Sequence, residues 1–464
     1  MPFRKILQRF PYGLPVSLIL VVFFLTAVPV AQAEYSLLKD IIVAWNLERH
    51  ERSLTDGSYR GEEGILRIRP EVARSLGLNI PIYQEYLNAT NQLKQADKLK
   101  AKAVRAMTSQ GKEWFPGEHV KTIAESILQH NEFMRRGQVS LTAYRLRLRQ
   151  TADERLDKKI CSQILEELLA GCFKTEAYNI RDGLACFYNR CQDVDEDNWP
   201  LNPVNVRFVN HVFREFTERA SDQERKRFNF DKHFSDSRSI PNPGWRKAMG
   251  RGGSRHLEIM ETVIGARRQT GYCIDPLLFA ALIRQESKFN PRAVSYVGAA
   301  GLTQIMPKTA IGLGMKRIFA PAYLNEAKSL MGRGRKLSAR AMALILEINE
   351  KNSLKYAGRA RQLRQKSRSC KRKARDLYAA YKRDLLMDGN DDRLDQHKAI
   401  EFGFKYFGAM MKTQGGDISL ALASYNAGPQ RIRQYKGIPP YPETISFRNR
   451  VLGYYREYLR RAEK

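Results

Sequence analysis

Acidic side chains are scarce in this chain. Its 464 residues hold 49 Asp and Glu against 79 Lys and Arg, for a formal net charge of +30 and a pI of about 9.9. That imbalance calls for an acidic partner: nucleic acid, an anionic membrane surface, or a polyanionic polymer such as a cell-wall glycan. Cysteine is also sparse, with six in all, and no pair is spaced Cys-x-x-Cys, which argues against a zinc ribbon. No metal site and no cofactor are expected. Only four tryptophans occur, Trp45, Trp114, Trp199 and Trp245, all before residue 250. For them ordinary packing outweighs a sugar-stacking role. No internal repeat is evident. Hydrophobic residues make up 43%, enough for ordinary cores, so wholesale disorder is not expected.

The N-terminus narrows the choice of partner. Arg4, Lys5 and Arg9 precede an apolar run from Leu14 to Val30, and Ala31-Gln32-Ala33 follows as a small-x-small signal. Residues 1–33 read as a secretory signal peptide, cleaved before Glu34, with an uncleaved membrane anchor as the alternative. No cysteine follows the apolar run, so a lipid anchor is not indicated. The expectation is an exported protein of the periplasm or cell envelope, and nucleic acid drops out as a partner. In such a compartment the even cysteine count favours disulfides among Cys161, Cys172, Cys186, Cys191, Cys273 and Cys370. The first four allow three pairings, and Cys273–Cys370 is the remainder.

The pattern predicts an all-α protein. Residues 34–233 form a helical N-terminal domain of undefined role, with helices expected over Tyr83–Met107, Ile160–Leu169 and Val204–Ala220. Residues 234–254, with Pro241, Pro243, Gly244 and Gly250-Arg251-Gly252-Gly253, read as a linker. A second domain spans 255–464. Within it, residues 316–384 carry twenty Lys and Arg against five Asp and Glu. They read as two amphipathic helices, serving either to hold an anionic polymer or membrane or only as a solvated hairpin. Asp417 is placed to cap a helix running through Ser424, and a final helix is expected from about Phe447.

Glu286 is the candidate acid. Asp275 and Pro276 open a helix that carries Leu277, Leu278, Phe279, Leu282 and Ile283, and Asn290-Pro291 ends it. Burial and the negative helix end both raise a carboxyl pKa there, which suits a general acid for a glycosidic oxygen. The alternative is a surface glutamate paired with Arg284 or Lys288.

The segments around it carry a resemblance. Glu286-Ser287-x-Phe289-Asn290-Pro291 continues through Ser295, Gly298-Ala299-x-Gly301-Leu302-x-Gln304-Ile305-Met306-Pro307. Ala423-x-Tyr425-Asn426-Ala427-Gly428-Pro429 and Pro442-Glu443-Thr444 follow in order. Together these resemble the three motifs of soluble lytic transglycosylases, over about residues 255–310 and 395–460. The resemblance implies a lysozyme-like helical domain that cleaves the β-1,4 bond between N-acetylmuramic acid and N-acetylglucosamine in peptidoglycan strands. It implies that no water is added and that 1,6-anhydro ends form. Glu286 would be the single acid and base, with Tyr425 orienting it. Ser295, Gly298, Gly301, Gln304, Met306 and Asn426 would line the glycan cleft, the two glycines letting sugar approach backbone, and Glu443 would position. Three departures stand out: Ala399 precedes Ile400 where the family has Asn, Phe447-Arg448 replaces a common Tyr-Val pair, and the connector between the first two motifs is expanded into the basic segment. Rival readings are a muramidase that adds water and a wall-binding component of an envelope-spanning machine with little turnover.

Overall fold

The computed structural model describes residues 35–109, 117–174, 179–194, 200–228 and 244–463. The expected signal segment, Trp114, Trp199 and positions 234–243 of the expected linker lie outside the described residues. Among the described residues the fold is all-α, with isolated bridges only. The first half runs α1 (Ser36–Thr55), α2 (Pro70–Ser75), α3 (Tyr83–Thr108), α4 (Glu118–Leu148), α5 (Lys158–Phe173), α6 (Ile180–Gln192), α7 (Val206–Arg219) and α8 (Asp222–Arg227). The second runs α9 (Trp245–Met249), α10 (Ser254–Thr270), α11 (Pro276–Ser287), α12 (Pro307–Gly312), α13 (Ala322–Leu346) and α14 (Ser353–Asp388). It ends with α15 (Gln396–Thr413), α16 (Ile418–Ala427), α17 (Pro429–Tyr435) and α18 (Pro442–Glu463).

Side-chain caps explain where many helices start. Asp157, Asn179, Asp275, Asp395 and Asp417 each accept from first-turn amides of α5, α6, α11, α15 and α16. Each such cap is worth roughly 1 kcal/mol. The last helix begins at Pro442 and not near Phe447, because proline is well tolerated at a first helical position.

Two expectations need correction. The linker expected over 234–254 is folded from Gly244 onward: α9 buries Ala248 and Met249 in the second-half core. Gly244 lies so close to the Ala462 carbonyl that a side chain would collide with it. The glycines there serve close packing as well as chain breaking. Of the cysteines, Cys172 and Cys186 form a disulfide that ties α5 to α6. Cys161, Cys191 and Cys370 keep free thiols, so Cys273, exposed before α11, has no bridge to Cys370. Cys161 and Cys191 fail to pair because each is packed as an apolar side chain in the first-half core.

An internal repeat also emerges. Tyr59-Arg60-Gly61-Glu62-Glu63-Gly64-Ile65-Leu66-Arg67-Ile68-Arg69-Pro70 matches Tyr296-Val297-Gly298-Ala299-Ala300-Gly301-Leu302-Thr303-Gln304-Ile305-Met306-Pro307 in position and shape. Both form a small hairpin with one bridge, Glu63 to Ile68 and Ala300 to Ile305, and both lead through proline into a six-residue helix. Gly61 and Gly298 have φ of 92° and 93°, Gly64 and Gly301 of 72° and 79°. A long helical hairpin follows in each half, α3–α4 and α13–α14, and then a buried arginine. Arg155 binds Asp153, the Tyr144 hydroxyl and the Gly61 and Ile68 carbonyls. Arg393 binds Asp391, the Tyr381 hydroxyl and the Gly298 and Ile305 carbonyls. Helices α5, α6 and α7 then correspond to α15, α16 and α18 in order. The chain is two lobes of one design.

The lobes face each other with reciprocal contacts. Asn210 of α7 donates to the Ile438 carbonyl at 2.8 Å, and Asn449 of α18 donates to the Leu201 carbonyl at 2.9 Å. Such like-for-like pairing is what a two-fold relation produces. Arg448 and Asp182 form a fully buried ion pair across the seam at 2.8 Å, and Arg181 pairs with Asp417 at 2.6 Å. Ala423, Ile432, Ile438 and Ile445 of the second lobe belong to the first lobe's core. The long hairpins meet as well: Ala103, Ile123 and Ile127 pack with Ala341, Ile345 and Ala357.

Candidate active site

Helix α11 is apolar on every side, and Leu277 to Ile283 are fully buried. It carries Glu286 to its last turn. Lys288 and Phe289 then take left-handed backbone, with φ of 53° and 62°, and turn the chain sharply away. Neither candidate partner neutralises Glu286. Arg284 is held by Glu457 at 2.8 Å and lies over the Tyr454 ring at 4.0 Å, while Lys288 is exposed. Burial pushes the Glu286 carboxyl up to about 8, and the nearby Glu443 carboxylate adds to the rise. Among the described residues neither Arg284 nor Lys288 pairs with Glu286, which is partly exposed.

Tyr425, on α16, is buried and stacks parallel to Phe447 with centroids 6.5 Å apart. Its hydroxyl donates to the Thr303 carbonyl at 2.7 Å, and Thr303 in turn donates to the Ala399 carbonyl at 2.9 Å. Burial, and then the charge of Glu286, hold the phenol far above its usual range. Its one proton being spent on Thr303, the phenol oxygen is left as an acceptor. Asn426 accepts from the Thr444 hydroxyl at 2.7 Å, which ties the second motif to the third. Glu443 sits exposed in the first turn of α18.

The other expected cleft residues divide. Ser295 accepts from the Val297 and Ala299 amides, and Gln304 donates to the Ala293 and Gly301 carbonyls. Both side chains brace the hairpin. Met306, partly exposed, precedes α12. The role expected of Gly298 and Gly301 changes. A Cβ at Gly301 would lie 1.7 Å from the Arg393 carbonyl, and one at Gly298 would press Tyr381 and Leu324. Both glycines are required by left-handed backbone and by close packing on the α13–α14 side. Arg393, Asp391, Tyr381 and Thr303 hold this wall, and only the twin run Asp153-Glu154-Arg155-Leu156-Asp157 and Asp391-Asp392-Arg393-Leu394-Asp395 could have flagged them. Among the described residues no group of His, Cys, Asp and Glu is arranged to hold a metal.

The second lobe thus brings together one raised acid, a buried tyrosine and a glycine hairpin. Residues 265–329 and 370–445, two pieces of the C-terminal half, match the family described as Transglycosylase SLT domain. The unmatched interval lies at the far end of the α13–α14 hairpin, narrower than the insertion expected over 316–384. Over 65 residues the chain is 45% identical to a protein named Transglycosylase from Enterobacteria phage PRD1, covering 14% of this chain and 24% of that protein. The chain thus spans about a quarter of that relative's length. It is also similar to an inactive mutant of lytic transglycosylase Slt from Pseudomonas aeruginosa, at 14% identity and a TM-score of 0.26, over 85% of this chain and 54% of that one.

Proposed function

We propose that the protein is an exported peptidoglycan lytic transglycosylase. The observation that carries this reading is Glu286: a carboxyl inside an SLT domain, without a cationic partner, raised to about 8 by burial. It holds its proton at neutral pH. It gives that proton to the glycosidic oxygen as the bond from C1 of N-acetylmuramic acid breaks. The carboxylate left behind then takes the proton of the same sugar's C6 hydroxyl while O6 bonds to C1. One carboxyl thus acts twice, no water is consumed, and a 1,6-anhydro end results. A two-carboxylate glycosidase would need a second acid at a set separation to activate water or attack carbon. Glu443, exposed at the mouth, serves by its charge to keep Glu286 protonated.

Export is supported by the N-terminal signal pattern and by the Cys172–Cys186 bond, which suits an oxidising compartment. Among the described residues no helix is long and apolar enough to cross a membrane. The exposed lysines and arginines of α14, among them Lys355, Arg359, Lys366 and Arg372, offer an attractive surface to an anionic wall polymer or membrane. The test is product analysis. Purified protein should release 1,6-anhydromuropeptides from peptidoglycan, and reducing ends formed by water addition would make it a muramidase instead.

A further inference from the structure

The N-terminal lobe keeps the frame of a cleft and has lost its acid. Tyr188 faces Phe208 at 5.0 Å, as Tyr425 faces Phe447, and Asn189 follows it as Asn426 follows Tyr425. Arg67 stands where the SLT lobe has Gln304, in the same left-handed backbone, with φ of 50° and 48°. Asn202-Pro203-Val204-Asn205 stands where the SLT lobe has Tyr441-Pro442-Glu443-Thr444, so Val204 replaces the mouth acid. Helix α1, which runs to Thr55, carries Arg49-His50-Glu51-Arg52-Ser53 near its end, and α11 ends in Ile283-Arg284-Gln285-Glu286-Ser287. The two serines are buried and each bonds back to its own helix, through His50 and Ile283. Arg49 is the α1 side chain that acts on Tyr188, whereas in the SLT lobe Glu286 of α11 acts on Tyr425.

Cations gather where the acid was. Arg67 and Arg49 act electrostatically on Tyr188, as does Glu62 with the opposite sign, and both arginines act on Asp56. The Arg67 Nε is buried and has no hydrogen-bond partner among the described residues. A buried donor left without a partner is costly, and a ligand oxygen would relieve it. The Arg49 guanidinium carbon lies 6.0 Å from the Trp45 ring centre, and Trp45 lies tilted against His211 with centroids 4.5 Å apart. Guanidinium beside aromatic faces is a chemistry suited to an acidic sugar: the fork takes a carboxylate and the ring takes the apolar face of a pyranose.

We propose that the N-terminal lobe is a non-cleaving copy of the SLT lobe that binds a carboxylate-bearing glycan strand. Arg49 and Arg67 receive the carboxylate, and Trp45 and Tyr188 the sugar. The identity of the glycan, a muramic-acid strand, rests on the function proposed above. Because the lobes share a core, a strand held by one is presented to the other at high effective concentration.

The experiment uses the full chain carrying Glu286→Gln, which prevents consumption of the ligand. Equilibrium binding is measured to peptide-free glycan strands with free lactyl carboxylates, and to the same strands with those carboxylates reduced to alcohols. The expected result is at least about tenfold tighter binding of the carboxylate strands, as a charge-assisted fork provides. Arg49→Gln with Arg67→Gln should abolish the preference, and Arg67→Lys, which keeps the charge without the fork, should retain part of it. Equal binding of the two ligands overturns the proposal, and so does a full preference in a folded double variant. The ligand comparison leaves the N-terminal lobe unaltered, so it stands even if a variant fails to fold. Turnover by the unsubstituted chain is read separately. Its absence would overturn the enzymatic reading and leave the binding result intact.

Discussion

Glu286 is a carboxyl whose surroundings supply burial and one further negative charge but no cation. Replacing it with glutamine should lower turnover by about 10²–10⁴-fold, the usual worth of a positioned general acid. The same change should alter stability in the opposite sense. A carboxyl whose folded pKa lies above its unfolded value binds more protons when folded. Its contribution is fully present below pH 4.5 and is lost as pH rises through about 8. Glu286→Gln should therefore melt higher than the unsubstituted protein at pH 8, by about 1–3 kcal/mol, and not at pH 4. Equal melting curves at pH 8 would contradict the raised acid. Glu443→Gln removes the charge that helps raise Glu286, so the basic limb of the pH–activity profile should move to lower pH. An unmoved limb would assign Glu443 no electrostatic role.

At the scale of elements, much was legible. Asp275 and Pro276 fix the start of α11, and the all-apolar run that follows requires burial, so the acid's position could be read from residues alone. The hairpin was legible as a motif but not as a structure. Ser295 and Gln304 read as lining residues, yet their bonds go to backbone amides and carbonyls. Gly298 and Gly301 read as sugar contacts, yet they accommodate Tyr381 and the Arg393 carbonyl. The reason is that the wall's support comes from about ninety residues downstream, beyond the reach of local spacing. Arg393 is fully buried with Asp391 at 2.7 Å. Arg393→Ala leaves that carboxylate buried and uncompensated, at a cost of about 3–5 kcal/mol. Thermal unfolding should show the loss, and cleavage should fall with it even though Arg393 does not touch the acid. A variant with full activity and an unchanged melting temperature would mean that the hairpin stands without its clamp.

At the scale of the molecule, the chain is a pair of lobes and not a catalytic domain behind a separate one. The repeat escaped notice in sequence because its identities are confined to the glycine hairpin, the Tyr-Asn pair and the Asp-x-Arg-Leu-Asp run. The helices between keep only their apolar spacing. The basic insertion becomes intelligible in the same light: its far end packs against the matching hairpin of the first lobe, while its outer face stays cationic. With Arg448 and Asp182 buried across the seam and four apolar residues of one lobe in the other's core, the described residues should unfold in one cooperative transition. Two separated transitions by calorimetry would contradict a shared core.

The central claim is that Glu286 alone supplies the acid and the base. Mass analysis of muropeptides released from purified peptidoglycan tests it most directly. The account predicts 1,6-anhydro ends, lighter by one water than hydrolysed ends, from the unsubstituted protein and none above background from Glu286→Gln. Hydrolysed reducing ends, or undiminished anhydro product from the glutamine variant, would contradict it.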